Sequence, residues 1–116
     1  MSEIRIKRAY DPPASGDGLR VLVDRLWPRG LKRQEAKIDL WLKDIAPSAD
    51  LRRWFGHDPA RWAEFQDRYR AELAGNPALD ELRAMARQRK RVTLLFAARD
   101  TEHNNAIVLQ ALCRGD

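Results

Sequence analysis

Two apolar runs constrain this chain most, Leu19 to Val23 and Val92-Thr93-Leu94-Leu95-Phe96-Ala97-Ala98. Each reads as a strand buried on both faces, and such strands belong to parallel sheets covered by helices. The first run stops abruptly in Asp24-Arg25-Leu26-Trp27-Pro28-Arg29-Gly30. The second ends in Arg99-Asp100, just before a helix that opens with His103 and Asn104. In open α/β sheets ligands sit outside the carboxyl ends of the strands, because loops vary there while the strands hold them rigidly. Two polar strand ends therefore point to one shared site.

The flanking segments complete the architecture. Ile4 and Ile6 alternate with Glu3, Arg5 and Lys7, the period of a short, half-buried strand suited to a sheet edge, and Tyr10-Asp11-Pro12-Pro13 forces a turn. Ile38, Leu40 and Leu42 alternate with Asp39, Trp41 and Lys43, which predicts a third strand, with a short helix as the alternative. Ser48 reads as an N-cap, Asp50 suits the first turn behind it, and Gly56 closes that helix. Asp58-Pro59 opens a second helix with proline in its first position. Along it Trp62, Phe65, Tyr69 and Leu73 form an apolar stripe, while Glu64 and Arg68 pair on the wet face. Gly75 ends that helix and Asn76-Pro77 begins another, burying Leu79, Leu82, Met85 and Ala86. A last helix from Thr101 or Glu102 to Arg114 buries Ala106, Leu109, Leu112 and Cys113. Strands, then helices, then a strand and a final helix predict an α/β fold. The expected form is a small single-domain three-layer sandwich over residues 1–116 with a mostly parallel sheet of about four strands.

Composition sets the outer bounds. A chain of 116 residues can bury one core without staples, and a hydrophobic content of 44% is that of a globular domain rather than a disordered one. The single cysteine, Cys113, excludes an intrachain disulfide, and Met-Ser-Glu-Ile-Arg lacks the apolar segment of a secretory signal, so the expected location is cytoplasmic. No apolar run approaches the roughly 20 residues that cross a bilayer, so no membrane partner is expected. The net charge of +5, from 22 basic against 17 acidic residues, favours anionic partners without choosing among them.

The strand ends carry the candidate chemistry. Arg25, Arg29 and Arg99 can clamp phosphate or carboxylate with paired hydrogen bonds, helped by the free N–H groups at the start of the last helix. Asp24 or Asp100 would position a donor or a proton, although Asp24 and Arg25 can equally serve as ties between loops. In the first turn of a helix, His103 would be held neutral by the positive dipole end, which makes it a candidate base beside an arginine, with a capping or solvated histidine as the alternative, so that Asp24 and His103 are the two catalytic candidates. Asn104 either orients a ligand or caps the helix, and Trp27 either covers a ligand face or wedges its loop into the core. His57, in Gly56-His57-Asp58-Pro59, reads as local turn chemistry. Two separated histidines and one cysteine give no metal-ligand spacing, and there is neither a P-loop nor a Gly-x-Gly-x-x-Gly, so no metal or cofactor is expected. The densest basic run, Arg87-Gln88-Arg89-Lys90-Arg91, falls at a helix end, where cations offset the dipole.

The order Lys7-Arg8-Ala9-Tyr10-Asp11, Asp17-Gly18, Val21 to Gly30, Ala46-Pro47-Ser48, Leu51-Arg52, Phe65, Tyr69, Glu72-Leu73 and Thr93 to Asp100 resembles the YeaO-like family of small bacterial proteins. That family is part of a larger domain family of unknown function. The resemblance covers nearly the whole chain, includes His103, Asn104 and Ala106, and rests most heavily on Asp-Arg-Leu-Trp-Pro-Arg-Gly. It implies an α/β fold and brings no established activity, and its motifs add Arg8, Tyr10 and Ser48 to the candidate ligand-binding residues. Members of the wider family carry Cys-His-Arg after the last strand, which points to an anion-binding turn, whereas this chain lacks that cysteine and with it the basis for thiol chemistry. Besides a protein-interaction module that binds no small ligand and buries the arginine-rich rim against a partner, two functions remain. One is a small phosphorylated or carboxylated ligand bound at the strand ends, with or without catalysis by Asp24 and His103. The other is a nucleic-acid-associated or regulatory module that uses the basic excess without catalysis and releases its partner steeply with salt.

Overall fold

The computed structural model describes residues 3–115. Strands β1 (Glu3–Arg8), β2 (Leu19–Leu22), β3 (Leu40–Trp41) and β4 (Arg91–Phe96) form one sheet in the order β1-β4-β2-β3, and every pairing is parallel. Between them run α1 (Arg33–Ala36), α2 (Ala49–Phe55), α3 (Trp62–Leu73) and α4 (Pro77–Gln88), and α5 (Asn105–Cys113) follows β4. Parallel strands need long crossovers, and the chain supplies the longest between β3 and β4 as three successive helices.

The two faces of the sheet are covered unequally. Val21, Val23, Leu94 and Phe96 point to one face, where α2, α3, α4 and α5 bring Leu51, Phe65, Tyr69, Leu79, Leu82 and Leu109 into the main core. Leu22 and Leu95 point to the other face and meet a smaller cluster with Ala9, covered by Trp27, Leu31, Ile38 and Trp41 from the segment around α1. The third layer is thus a loop with a single helical turn. It is held by Arg20, whose guanidinium donates to the Ala36 carbonyl at 2.8 Å and pairs with buried Asp17. Burial pushes the Asp17 carboxyl up, but the Ala14 N–H, Lys7 and Arg20 outweigh it and hold the group below its usual range.

Gly18 is where the chain must turn into β2 directly against the start of β4. Its φ is +67°, and a Cβ there would lie 2.2 Å from the Arg91 carbonyl oxygen, so both the conformation and the space require glycine.

Three expectations change in the structure. The alternation around Ile38 to Leu42 yields a strand of only Leu40–Trp41, because Leu42 turns into the 3₁₀ segment Lys43–Ile45. Asp58 does cap, but it caps a 3₁₀ turn at Pro59–Arg61, and the α-helix starts only at Trp62. The last helix begins at Asn105 with Asn104 as its N-cap, whose side chain accepts from Ile107 N at 3.1 Å. His103 therefore precedes the helix instead of lying in its first turn. The cause is Asp100, whose Oδ1 captures the Glu102 and His103 N–H groups in a turn that competes with helix. Elsewhere, Ser48 caps α2 by accepting from Leu51 N at 3.1 Å, and Asn76 caps α4 by accepting from Ala78 N at 2.9 Å.

Candidate functional site

The central strands β2 and β4 pair in parallel, with Leu22 opposite Leu95, so the segments that follow them leave the sheet side by side. The chain after β2 departs to cover the thin face, whereas the chain after β4 turns into α5 on the helical face. A crevice opens where neighbouring strands send their connections to opposite sides. Here it is a cleft of about 500 Å³, bordered by Asp24 to Arg29, by Ala97 and Ala98, by His103 to Asn105, and by Arg52, Phe55 and His57 from and just after α2.

Asp24 clasps the base of the cleft. Its Oδ2 accepts the Ala97 N–H at 2.8 Å and its Oδ1 accepts from Asn105 Nδ2 at 3.2 Å, while the same Asn105 amide donates to the Val23 carbonyl at 2.9 Å. The Asp24 carbonyl in turn accepts from Trp41 Nε1 at 2.8 Å. One side chain so ties the ends of β2 and β4 to the first residue of α5. Burial raises the Asp24 pKa above its ordinary value, against the pull of these hydrogen bonds and of the nearby Arg52 and His57 charges.

Two guanidinium groups border the cleft with donors to spare. Arg25 donates through Nη2 to the Ala46 carbonyl at 3.2 Å, yet its Nε is buried without a hydrogen-bond partner, and the Nε of Arg52 is in the same condition. Buried N–H groups without acceptors are rare in folded proteins, since each costs about 1–3 kcal/mol. Beside them His57 has a φ of +58°, an uncommon conformation for a residue other than glycine, and it follows Gly56 at +53°.

Opposite, Asp100 organises the turn before α5. Its Oδ2 accepts from His103 Nδ1 at 2.8 Å, and Asn104 Nδ2 donates to its carbonyl at 3.0 Å. The N–H of Glu102, followed by His103, holds the Asp100 carboxyl below its usual range. The His103 ring, fixed through Nδ1, packs edge-on to Trp62 with centroids 5.4 Å apart.

Of the residues singled out in the sequence, Asp24, Arg25, Trp27, Arg29, His103 and Asn104 border the cleft. Trp27 does so while donating to the Leu31 carbonyl at 2.7 Å and packing edge-on to Trp41, which wedges the loop onto the thin face. The other five lie outside it. Arg8 donates to the Ala98 and Ala97 carbonyls at 3.0 and 3.2 Å, bracing the loop after β4, and its guanidinium covers Tyr10. Tyr10 donates to the Arg29 carbonyl at 2.8 Å, Ser48 is bound to Glu72, Asp100 holds its turn, and Arg99 is exposed. Arg52, His57 and Asn105 were not read as site residues. For Arg52 the signal was present in the Leu51-Arg52 motif, while for the others it was only local turn and cap chemistry. Among the described residues, no group of three or more His, Cys, Asp or Glu side chains could hold a metal ion, and no helix is long and apolar enough to cross a membrane.

Comparisons with known proteins fit this frame. An uncharacterised protein of Mycobacterium tuberculosis is 41% identical over 114 residues, covering 98% of this chain and 96% of its own length. The uncharacterised YeaO of Escherichia coli is 42% identical over 106 residues, covering 91% of this chain and 92% of its own. No solved structure matches. The family model described as the inactive DUF488-N3 subclade matches residues 3–115, and to this subclade, with its YeaO-like relatives, the chain belongs.

Proposed function

We propose that this is a binding domain whose cleft at the strand ends holds a small anionic ligand, phosphate or carboxylate, without turning it over. The observation that carries the reading is that two guanidinium side chains from distant parts of the chain, Arg25 and Arg52, line one cleft. A guanidinium is a planar fork of donors that suits two oxygens of one anion, and an oxyanion in the cleft would meet such a group from each of the two side chains. The description of the subclade as inactive favours binding over catalysis, and the clasp role of Asp24 accounts for that carboxylate without a proton transfer. The nucleic-acid alternative has less behind it, because much of the basic excess already meets internal partners. Lys7 and Arg20 bind Asp17, Arg91 binds Glu3 and the Gly16 carbonyl, and Arg83 meets the Leu112 carbonyl.

The test is a thermal-shift series with inorganic phosphate, acetate and a short oligonucleotide on the native chain, Arg52→Gln and Arg87→Ala. A ligand that binds only the folded state raises Tm, by about 2.7 kcal/mol of stabilisation at a hundredfold excess over Kd. The expected result is a shift with phosphate or acetate that is lost in Arg52→Gln and kept in Arg87→Ala. An oligonucleotide shift alone, falling steeply with salt and indifferent to Arg52→Gln, would replace this reading with the nucleic-acid one.

A further inference from the structure

The cleft is much larger than an oxyanion, and its lining is divided. Its charged residues are Arg25, Arg29 and Arg52 against Asp24, with His57 and His103 beside them, which leaves two positive charges on the wall before either histidine is protonated. A dianion matches that balance, whereas a single carboxylate does not neutralise it. The remaining wall is apolar, built from Pro28, Pro47, Phe55 and Phe65. The two phenyl rings stack with centroids 4.3 Å apart and form a rigid floor. At the lip stands Leu26, 66% exposed, more than Tyr10 at 42%, the other large exposed hydrophobic among the described residues. Inorganic phosphate would occupy the cationic end and leave this leucine in water. Lone exposed leucines are ordinary, but one continuous with an apolar cleft wall marks surface that a ligand can cover.

We infer that the ligand is a phosphomonoester carrying a ring-sized apolar group, its phosphoryl end held by Arg25 and Arg52 and its ring against Leu26, Pro28 and Pro47. This rests on the anion-binding reading above and adds to it the charge and the apolar half of the ligand. Covering an apolar ring and a leucine side chain contributes roughly a tenfold or greater gain in affinity over phosphate alone.

Calorimetric titration of the full chain with phenyl phosphate, inorganic phosphate and benzoate tests it, on the native protein, Leu26→Ser and Arg52→Gln. The exposed position of Leu26 keeps the serine variant folded. The expected result is phenyl phosphate binding at least about tenfold tighter than either other probe, with most of its advantage over inorganic phosphate lost in Leu26→Ser and the binding itself weakened in Arg52→Gln. Equal affinity for phenyl phosphate and inorganic phosphate would overturn the apolar half and leave the anion site standing. Benzoate binding as tightly as phenyl phosphate would overturn the dianion. If none of the three binds a chain that unfolds cooperatively, or Arg52→Gln changes nothing, the anion site falls and this inference with it.

Discussion

Replacing Asp24 by alanine probes the clasp that holds the strand ends together. The substitution leaves the Ala97 N–H without the acceptor it has at 2.8 Å, and it takes from Asn105 one of two acceptors, the Val23 carbonyl at 2.9 Å remaining. An orphaned donor and a weakened amide amount to about 2–4 kcal/mol. Against this stands the removal of a carboxylate whose ionisation burial disfavours, so the net loss at neutral pH is about 1–3 kcal/mol, or about 4–12 °C in Tm for a domain of this size. The pH dependence has a definite sign. Because the folded pKa of Asp24 lies above its unfolded value, the native chain holds the proton more tightly when folded. That stabilisation is complete below the ordinary carboxylate value of 3.8 and is lost as pH rises through the raised folded value. The alanine variant lacks this dependence, so its deficit should be largest in acid and should narrow toward pH 7. Urea unfolding followed by tryptophan fluorescence at both pH values measures it. An unchanged midpoint at both, or a deficit that widens as pH rises, would refute the clasp.

Two further outcomes follow from the buried architecture. Arg20→Ala takes one of two cationic partners from buried Asp17, leaving Lys7, and frees the end of α1, with an expected loss of about 2–4 kcal/mol in the same unfolding assay. Since Asp17 is held below its usual pKa in the folded chain, its contribution is present above the unfolded value of 3.8 and is lost as pH falls through the lowered folded value, so the variant should lose less stability on acidification than the native chain. Gly18→Ala drives a methyl into the Arg91 carbonyl and should abolish cooperative folding or cost more than either substitution above, as read by circular dichroism and urea unfolding.

The fold was legible where its signals are local. Buried strands announce themselves by unbroken apolar runs, and β2 and β4 were read in this way. Helix starts announce themselves by side chains that bond backbone N–H groups two or three residues on, and Ser48 and Asn76 are legible from their type and place. The start of α5 lies a few residues beyond the expected one because Asp100 takes the Glu102 and His103 N–H groups into a turn and Asn104 caps only from Ile107 onward, and sequence alone does not rank two nearby caps. The short β3 was overextended because alternation is the same whether or not a neighbouring strand continues beside it.

The site divides along the same line. Sequence by itself determined a parallel α/β sheet, polar strand ends facing one rim, and a cationic loop at Asp24 to Arg29, because periodicity and residue type within a few positions suffice for these. Only the tertiary structure decided that Arg52 from α2 stands at the cleft with Arg25, that Arg8 braces the loop after β4 instead, and that Asp24 is bound on both oxygens. Each of these depends on which groups the folded chain brings beside a side chain, and those groups come from tens of residues away.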